Sequence, residues 1–358
     1  MAPTLSVAFI GLGNVAERIH WPALKSIPGI QVTSGCDTDG ERRQRVGALL
    51  GLTKVYESVD ELFAHERPAV ALIGTPPFCH HRDCLVALQH GAHVFCEKPF
   101  VETVAHADDI ITAALAADRV VAINNQYRYM AMYRESQKRM AAGEFGRPFL
   151  IQAWEQMNHP PFKEKNWRAH LVQSTLFEFG THALDLICFF FDALPDAITV
   201  LTPHPRPDIA ADVVVTVMLR FPGERVATMV LNRISHAPER YFEMRVDCER
   251  ASLRLSLGGV ARASLDWSKP LGRPIPRVSF VKGGEARVEA GGRSRVIAVE
   301  RQMAFASATG LNFAQFVEQV QAGGRDRKAL YHQRALIRLI EAGYESARRG
   351  ETVHLTGD

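Results

Sequence analysis

Three side chains in one apolar stretch of the sequence could move or hold a proton. The pattern of apolar residues predicts a helix over 174–191, and Glu178, His182 and Asp185 recur within it at spacings of i, i+4 and i+7. Such a helix would carry all three on one face. A histidine can exchange a proton near neutral pH, and a nearby carboxylate can set its tautomer. We therefore expect an acid–base site here; the alternative is a histidine that only satisfies hydrogen bonds within a helix.

A lysine follows a short buried strand at a place where ligands commonly bind. The strand is predicted over 92–96, and Glu97, Lys98 and Pro99 come directly after it. The carboxyl ends of strands in open α/β sheets face the ligand crevice, and a proline favours extended geometry in the residue before it. A lysine ammonium there could stabilise negative charge on a reacting oxygen. The alternative is an exposed Glu–Lys ion pair of little energetic value.

A glycine-rich segment joins the first predicted strand, 5–10, to a helix predicted over 14–24 with a break at Pro22. The segment has the pattern GxGxxA and consists of Gly11, Leu12, Gly13, Asn14, Val15 and Ala16. The first glycine of such a motif permits a tight turn, the second admits a pyrophosphate, and the small third residue allows close packing. The helix N-terminus adds amide donors for the phosphates. By itself the motif also fits an ordinary glycine turn.

An aspartate supports the interpretation of this segment as a dinucleotide-binding loop. Asp37 ends the second predicted strand, 30–36, about 20 residues beyond the loop, where a carboxylate holds a ribose 2′-hydroxyl. A carboxylate repels a 2′-phosphate, so we predict NAD as the cofactor, with NADP less favoured. Arg42 and Arg43 are expected to lie too far into the next helix to bind that phosphate. A simple turn or capping role for Asp37 is the alternative.

The order of predicted elements indicates two domains of different fold class. Strands alternate with helices up to residue 124, which is typical of a doubly wound parallel sheet, and strands with short turns follow after residue 146, which indicates an α+β domain with a large antiparallel sheet. We predict a dinucleotide-binding domain over 1–125 and a second domain over 126–358. The remaining predicted strands are 69–73, 92–96, 120–124, 149–157, 213–221, 225–234, 241–248 and 252–257. The remaining predicted helices are 41–50, 80–90, 104–116, 312–321 and 331–348.

Composition excludes several other classes of protein. The net charge is only +3 and the basic residues are dispersed, which argues against a nucleic-acid surface. No apolar run is long enough to span a membrane, and the N-terminus has no secretory signal, so a cytoplasmic location is expected. The six cysteines fit small buried residues in a reducing compartment. Cys79, His80, His81 and Cys84 lack a recognised ligand spacing, so no metal is predicted.

Taken together, the motifs resemble the glucose–fructose oxidoreductase, inositol dehydrogenase and rhizopine-catabolism (Gfo/Idh/MocA) oxidoreductase family over essentially the whole chain. The motifs that carry the resemblance are Gly11-Leu12-Gly13, Thr75-Pro76 with His80, the stretch from Gly91 to Pro99, Gln126-Tyr127-Arg128, Trp167-Arg168, Glu178 to His182 with Asp185, and Glu345 to Gly350. The resemblance implies a Rossmann domain, and a C-terminal domain on an open, largely antiparallel sheet that binds substrate and forms oligomers. It implies hydride transfer between a nicotinamide and a sugar, polyol or related cyclic hydroxy compound.

The resemblance also implies roles for individual residues. Lys98 and His182 would face the reacting carbon, with Glu178 as a third catalytic residue. Besides the glycine loop (Gly11 to Val15) and Asp37, the cofactor-binding residues would be Thr75, Pro76, His80, Glu97 at the nicotinamide ribose, Lys98, Gln126, Trp167 and Arg168. The substrate-binding residues would be Lys98, Arg128, His182 and Asp185. The family usually has aspartate where Glu178 stands and a glycine-rich approach where Gln173, Ser174 and Thr175 stand, so the substrate stays open.

The sequence leaves the identity of the base and the class of the reaction open. The base in the reaction could be His182 or a Lys98 whose pKa is depressed by burial. The chain could instead be a lyase or glycoside hydrolase that oxidises its substrate transiently and returns the hydride, or a cofactor-sensing regulator, although a regulator needs neither Lys98 nor His182.

Segments 158–165 and 271–276 are expected to shape the substrate pocket. A homodimer or homotetramer built on the apolar face of the strands from Val213 to Leu257, with Val215, Val217 and Leu219 on that face, is expected.

Overall fold

The computed structural model describes residues 4–164, 166–258, 262–268, 275–281, 283–300, 304–324 and 327–355, with the backbone alone over 262–268 and 275–281. Residues 165 and 271–274 of the predicted pocket segments therefore lie outside the described residues. The chain divides into two compact units, one of residues 1–129 and 305–341 and one of residues 130–304 and 342–358. This division differs from the predicted one because residues 305–341 cluster with the first unit.

Strands and helices are numbered along the chain. The strands are β1 Leu5–Ile10, β2 Ile30–Cys36, β3 Val55–Tyr56, β4 Val70–Ile73, β5 His93–Cys96, β6 Val121–Ile123, β7 Pro148–Gln156, β8 Ala197–Leu201, β9 Val214–Phe221, β10 Arg225–Asn232, β11 Tyr241–Cys248, β12 Ser252–Gly258, β13 Arg262–Ser268, β14 Ile275–Val281, β15 Gly284–Ala290, β16 Arg293–Glu300 and β17 Val353–His354. The helices are α1 Trp21–Leu24, α2 Gly40–Leu50, α3 Val59–His65, α4 Pro77–Gln89, α5 Val104–Ala117, α6 Ala131–Ala141, α7 Thr181–Phe191, α8 Ala304–Gln321 and α9 Lys328–Arg349.

The first unit is built on a six-stranded sheet in the order β3-β2-β1-β4-β5-β6. Every neighbouring pair is parallel, as the alternation of strands and helices predicted. This is the strand order of a dinucleotide-binding fold, in which the chain reverses direction across the sheet between β1 and β4. The reversal opens a crevice at the carboxyl ends of these strands, and the glycine loop follows β1 at that place.

Residues 305–341 join the first unit because aromatic side chains of α8 belong to its core. Phe313 and Phe316 are buried, and their ring centroids lie 5.0 Å and 5.5 Å from that of Phe95 in β5. Phe95, Phe313 and Phe316 all belong to one hydrophobic cluster with the apolar residues of β1 and β4. Burial of large apolar side chains is the main favourable contribution to folding. These contacts therefore explain why α8 packs with the first unit although it lies late in the chain.

The helix after the glycine loop does not break at Pro22 as predicted. Instead, the turn before Pro22 is a wider, π-helical one. Ala16–His20 forms a π-helical turn, and the N–H of Trp21 donates to the carbonyl of Ala16, five residues earlier. A proline has no N–H and its ring collides with the carbonyl four residues earlier in a regular α-helix. The wider turn accommodates Pro22 near the start of α1 and leaves His20 in the interior.

The second unit is built on a nine-stranded sheet in the order β16-β15-β12-β11-β7-β10-β9-β8-β17, with β13 and β14 as a separate antiparallel pair. Most neighbours in the large sheet are antiparallel, as predicted, but β7 and β10 are parallel. The turn of Pro222, Gly223 and Glu224 joins β9 to β10 as expected, with φ of +76° at Gly223 and +61° at Glu224.

The two faces of the large sheet differ, and the face expected to be free is the covered one. In β9, Val215, Val217 and Leu219 are fully buried within the single chain, whereas the residues between them are exposed. Alternate residues of a strand point to opposite faces, so the expectation that these three form an uncovered apolar face is wrong.

Among the described helices, none is both long and apolar enough to cross a membrane.

Candidate functional site

Gly11 and Gly13 differ in what surrounds them. Gly11 has φ +93°, and a Cβ there would lie 2.9 Å from backbone atoms of Gly74 and Thr75, so only glycine fits between the ends of β1 and β4. A Cβ on Gly13 would meet nothing within 4 Å. The packing of the protein itself therefore does not require glycine at position 13, and the open space is where a pyrophosphate would approach the loop. Because of this open space, the loop can accommodate the pyrophosphate of a dinucleotide.

The Asp37 carboxylate is held at the glycine loop by backbone amides. The N–H of Leu12 donates to one oxygen and the N–H of Asp39 to the other, each at 2.9 Å. Arg42 approaches the same carboxylate to 3.8 Å, and Arg43 donates to the carbonyl oxygen of Asp37 at 2.7 Å. Both arginines thus lie nearer to Asp37 than expected, because α2 begins at Gly40 and its first turn folds back over the end of β2.

His80 connects the two loops that follow the carboxyl ends of β4 and β5. It is buried, and its Nε2 lies 2.8 Å from the carbonyl oxygen of Thr75, while Nδ1 lies 3.0 Å from the carbonyls of Pro99 and Phe100. The Thr75 hydroxyl donates to Asp83 at 2.8 Å, and burial raises the pKa of Asp83 against this hydrogen bond. Thr75 and His80 therefore hold the loop before α4 against the turn that follows Lys98.

The Glu97 carboxylate lies beneath Lys98 in a network of donors. Glu97 is buried; one oxygen lies 2.8 Å from His20 Nε2 and accepts from Asn124 at 2.7 Å, and the other accepts the Lys98 N–H at 3.3 Å. Burial raises the pKa of Glu97, but His20, Asn124 and the charge of Lys98 outweigh burial and leave this pKa below its ordinary value. The Lys98–Pro99 peptide bond is cis. Neither His20 nor Asn124 was identified from the sequence.

The segment after β6 is tied to the C-terminal helix. Gln126 and Arg128 lie in a 3₁₀ turn, Gln126–Tyr129, and a terminal nitrogen of Arg128 lies 2.6 Å from His332 in α9. Asn125 donates to Gln333, also in α9, at 2.9 Å. These contacts place Gln126 and Arg128 in the first unit with the glycine loop and Lys98.

In the second unit, a buried aspartate starts the helix that carries His182. Asp212 accepts from the backbone N–H groups of Ser174, Thr175 and Leu176 at 2.5, 2.8 and 3.0 Å. The first N–H groups of a helix have no partner within it, so this carboxylate does what a capping residue does. Tyr344 also donates to Asp212 at 3.0 Å. Asp212 was not identified from the sequence, because it lies far from the helix along the chain.

The predicted helix is π-helical over Thr175–Gly180 and α-helical from Thr181. Glu178, His182 and Asp185 are all buried. Glu178 Oε1 accepts from Arg168 Nε at 2.5 Å, and the guanidinium of Arg168 lies over the ring of Trp167, 4.4 Å from its centroid. The structure thus brings Trp167, Arg168 and Glu178 together, and π-helical turns inside helices are common at functional sites.

A second arginine lies beneath this helix. Arg233 is fully buried; it donates to Ser174 Oγ at 2.6 Å, lies 3.4 Å from Glu164 and stacks over Phe179 at 4.7 Å. Burial lowers the pKa of Arg233, opposed by the nearby carboxylates of Glu178, Glu164 and Asp212. Nothing in the local sequence around Arg233 separates it from an exposed arginine at a strand end, so sequence reasoning missed it.

The expected site residues divide between the two units. The first unit holds Gly11, Leu12, Gly13, Asn14, Val15, Asp37, Thr75, Pro76, His80, Glu97, Lys98, Gln126 and Arg128. The second unit holds Trp167, Arg168, Glu178, His182 and Asp185. Over the described part of the chain, no group of three or more His, Cys, Asp or Glu side chains is arranged to hold a metal ion.

Comparison with known proteins matches a segment of each unit to a family model. Residues 5–125 match the GFO_IDH_MocA family, described as an oxidoreductase family with an NAD-binding Rossmann fold, and residues 133–254 match the GFO/IDH/MocA C-terminal domain. A D-apiose dehydrogenase from Paraburkholderia graminis is 24% identical over 357 residues, which cover 97% of this chain and 89% of that protein.

Solved structures share the fold over nearly the whole chain. An oxidoreductase from Agrobacterium radiobacter in complex with NAD+, L-tartaric acid and magnesium has a TM-score of 0.81 at 20% identity, with 98% of each chain covered. Myo-inositol 2-dehydrogenase from Lactobacillus plantarum has a TM-score of 0.77 at 19% identity, covering 99% of this chain and 100% of the other. At this identity the likeness establishes the fold.

Proposed function

Because this chain belongs to the GFO/IDH/MocA oxidoreductase family, we propose that it is a dehydrogenase that transfers a hydride between NAD(H) and a sugar, polyol or related cyclic hydroxy compound. The observation that carries the proposal is the open space at Gly13 beside a carboxylate, Asp37, that backbone amides hold at the same loop. The D-apiose dehydrogenase, which acts on a sugar by its name, supports the substrate class.

Lys98 and His182 are the proposed catalytic residues. The nicotinamide supplies the hydride-transfer chemistry when it is bound. On oxidation of an alcohol, an imidazole nitrogen of His182 takes the hydroxyl proton as the C–H hydride leaves, and a carbonyl forms. The Lys98 ammonium stabilises the negative charge on the reacting oxygen. The alternative assignment makes Lys98 the base and His182 a ligand of the substrate, with Arg128 and Asp185 as further substrate ligands in both cases.

Glu178 is proposed to orient the catalytic helix rather than to exchange protons itself. Its carboxylate is engaged by Arg168 at 2.5 Å, and that ion pair is largely buried on the carboxylate side. A charged hydrogen bond of this kind is geometrically restrictive. Glu178 can therefore fix the helix on which it lies against Arg168, whose guanidinium also lies over the ring of Trp167.

NAD is the proposed cofactor, in preference to NADP. Asp37 presents a carboxylate at the end of β2, and its two oxygens are oriented by the amides of Leu12 and Asp39. A fixed negative charge disfavours a 2′-phosphate, whereas a ribose hydroxyl can donate to it. Arg42 and Arg43 are partly engaged with Asp37 and its carbonyl, which reduces their availability for a phosphate.

The direct test is a screen of sugars, polyols and sugar acids for NAD reduction, followed through the absorbance of NADH. We expect at least one substrate to give turnover that Lys98→Ala lowers strongly. Substrate conversion by a protein that retains NAD, with no net change in NADH, would instead indicate a lyase or glycoside hydrolase. Tight NAD binding without conversion of any compound, and with no effect of Lys98→Ala on that binding, would indicate a regulator.

A homodimer or homotetramer through the open face of the large sheet is also proposed. That face carries exposed apolar side chains on three adjacent strands, Trp154 in β7, Met218 in β9 and Val226 in β10. The opposite face of β9 is covered within the chain. Exposed apolar side chains on one sheet face can mark a protein–protein contact when they form part of a larger apolar patch.

A further inference from the structure

A histidine with no assigned role lies between the glycine loop and the strand that leads to Lys98. His20 ends the π-helical turn Ala16–His20 and is 0% exposed. The ring edges of Phe9 and Phe95 enclose it, with centroids at 6.3 Å and 6.1 Å. A polar ring in such an apolar enclosure is costly unless it has a hydrogen-bonding partner.

The polar group that His20 approaches is the carboxylate of Glu97. His20 Nε2 lies 2.8 Å from Glu97 Oε1. Neither ring nitrogen of His20 has an aligned hydrogen-bond partner among the described residues, so the contact is defined by distance, and a negatively charged carboxylate this close favours a proton on Nε2. Asn124 donates to the same oxygen at 2.7 Å, and the backbone N–H of Lys98 reaches the other at 3.3 Å.

The network is anchored on its far side by α8. Asn124 Nδ2 also contacts the hydroxyl of Thr309 at 3.1 Å, and Asn312 donates to the Asn124 side-chain oxygen at 3.3 Å and to the carbonyl of Ile123 at 3.1 Å. Asn124, Thr309 and Asn312 are buried. Asn124 therefore cannot shift to replace a lost partner of Glu97 without breaking these contacts.

We propose that His20 is a positioning residue: it holds the Glu97 carboxylate, and through it the backbone of Lys98, in register with the helix that begins at the dinucleotide loop. The inference rests on the proposed function, since it concerns the residues that would meet the nicotinamide ribose and the substrate. Its physical basis is that one rigid ring joins the π-helical turn Ala16–His20, which follows the glycine loop, to the end of β5. A change in the position of either element is thereby transmitted to the other.

The competing explanation is that His20 only fills space between Phe9 and Phe95. The two explanations predict different behaviour for substitutions of similar size. His20→Leu fills the space without a donor, whereas His20→Gln places an amide nitrogen close to the position of Nε2. A positioning role predicts that the glutamine variant recovers most of what the leucine variant loses, and a packing role predicts no such recovery.

The experiment is a double-mutant cycle between His20 and Glu97. NADH affinity by fluorescence titration, kcat, and urea unfolding of the protein without cofactor are measured for the parent, His20→Leu, His20→Gln, Glu97→Gln, and the double variant His20→Leu with Glu97→Gln. Loss of a polar contact to the charged Glu97 carboxylate predicts about 10- to 100-fold weaker NADH binding or slower turnover in His20→Leu. In the Glu97→Gln background the same substitution is expected to add little.

The matched control is His93→Gln. His93 is the first residue of β5, at the end of the strand away from Glu97, and its Nδ1 accepts the N–H of Val120 at 3.0 Å. It is a partly buried histidine of the same sheet with a backbone partner. NADH affinity and kcat should stay at the parent values in this variant, which separates a specific effect at His20 from general disturbance of the sheet.

The pH profile gives a readout that packing alone would not move. Burial raises the pKa of Glu97, and His20 is the first of the groups that oppose it, with Asn124 and Lys98; the buried Cys96 thiol also adjoins Glu97. Without His20, Glu97 takes up a proton at a higher pH than in the parent. The acidic limb of kcat/KM in His20→Leu should therefore move upward in pH, and an unmoved limb would contradict the proposal.

Two further outcomes separate the inference from the proposed function. Additive effects of the His20 and Glu97 substitutions on NADH affinity, or parent-like affinity and kcat in His20→Leu, would overturn the positioning role while leaving the dehydrogenase intact. Failure of the parent to bind NADH would overturn the proposed function instead. The urea unfolding series then decides the role of His20, because additive losses of unfolding free energy would show that the two side chains do not act together.

Discussion

At the scale of single residues, the proposed function makes His182 the residue that takes the proton and Lys98 the residue that stabilises the negative charge on the reacting oxygen. We predict that Lys98→Ala and His182→Ala each lower kcat by about 10²–10⁴-fold, the usual contribution of positioned acid–base catalysis. The measurement is steady-state turnover with the substrate found in the screen. Urea unfolding of both variants, measured alongside, separates a loss of turnover from a loss of folded protein.

The pH–rate profiles of the two variants decide between the two assignments. If His182 carries the proton, His182→Ala loses the pH dependence near neutrality. A His182→Ala variant that keeps the profile and near-parent turnover would transfer the role to Lys98. Glu178→Gln is the matched comparison, because it keeps the shape of the side chain next to Arg168 but removes its charge; we expect a milder loss.

Asp37 makes a second prediction at the residue scale, for cofactor choice. Asp37→Ala removes the expected partner of the ribose hydroxyl together with the anchor of the Leu12 amide. A lost hydrogen bond to a charged group corresponds to about a 10- to 100-fold rise in KM for NAD, while NADP should lose less because a repulsive charge is also removed. Parallel kinetics with NAD and NADP provide the measurement.

Asp39→Ala is the control for this experiment. Asp39 is close by and caps α2 through the Arg42 N–H, at 3.1 Å, but its carboxylate does not touch the glycine loop in the described contacts. The ratio of kcat/KM for NAD to that for NADP should stay unchanged in this variant. A parent enzyme that prefers NADP would contradict the NAD assignment and would point to Arg42 or Arg43 as the phosphate ligand.

At the scale of secondary-structure elements, alanine at the two glycines of the loop is expected to affect different properties: stability at Gly11 and NADH affinity at Gly13. Gly11→Ala places a Cβ 2.9 Å from backbone atoms at the end of β4, at φ +93°. An L-residue held at positive φ is strained by about 1–3 kcal/mol, and backbone cannot move aside as a flexible side chain can. Urea unfolding should show this variant clearly destabilised, with or without cofactor.

Gly13→Ala should instead leave stability near the parent value, because its Cβ meets no protein atom within 4 Å. The same Cβ stands where a pyrophosphate approaches the loop, so NADH affinity should fall by at least about tenfold, which is about 1.4 kcal/mol of binding free energy. Calorimetric or fluorescence titration of NADH is the measurement. Unchanged affinity in Gly13→Ala would contradict the placement of the dinucleotide at this loop.

At the scale of the whole molecule, the open sheet face predicts self-association. We expect light scattering at micromolar concentration to show a dimer or tetramer. Met218 is 53% exposed in the middle of β9 on the open face, so Met218→Lys should shift the protein toward monomer by placing a charge in a desolvated contact. A strictly monomeric parent would contradict this prediction.

Leu115→Lys is the matched control for the assembly experiment. Leu115 is 49% exposed on α5 in the other compact unit. The two substitutions therefore exchange similarly exposed apolar residues for the same charge. Equal dissociation of both variants would show that added charge alone, rather than the sheet face, determines the assembly.

The sequence by itself determined the features that depend on contiguous residues. The strands 5–10, 30–36 and 241–248 coincide with β1, β2 and β11, because apolar periodicity reports directly on which face of an element is buried. The GxGxxA segment and the Glu97-Lys98-Pro99 stretch were recognisable for a different reason. Each consists of neighbouring residues whose types and order are themselves the signal.

The tertiary structure alone decided which distant residues act together. His20 meets Glu97, Asp212 caps the helix of His182, and the aromatic side chains of α8 complete the core of the first unit. Each of these contacts satisfies a buried polar group or covers an apolar surface whose partner lies far away along the chain. Local periodicity shows that a residue needs a partner, but only the packing of the folded chain determines which residue provides it.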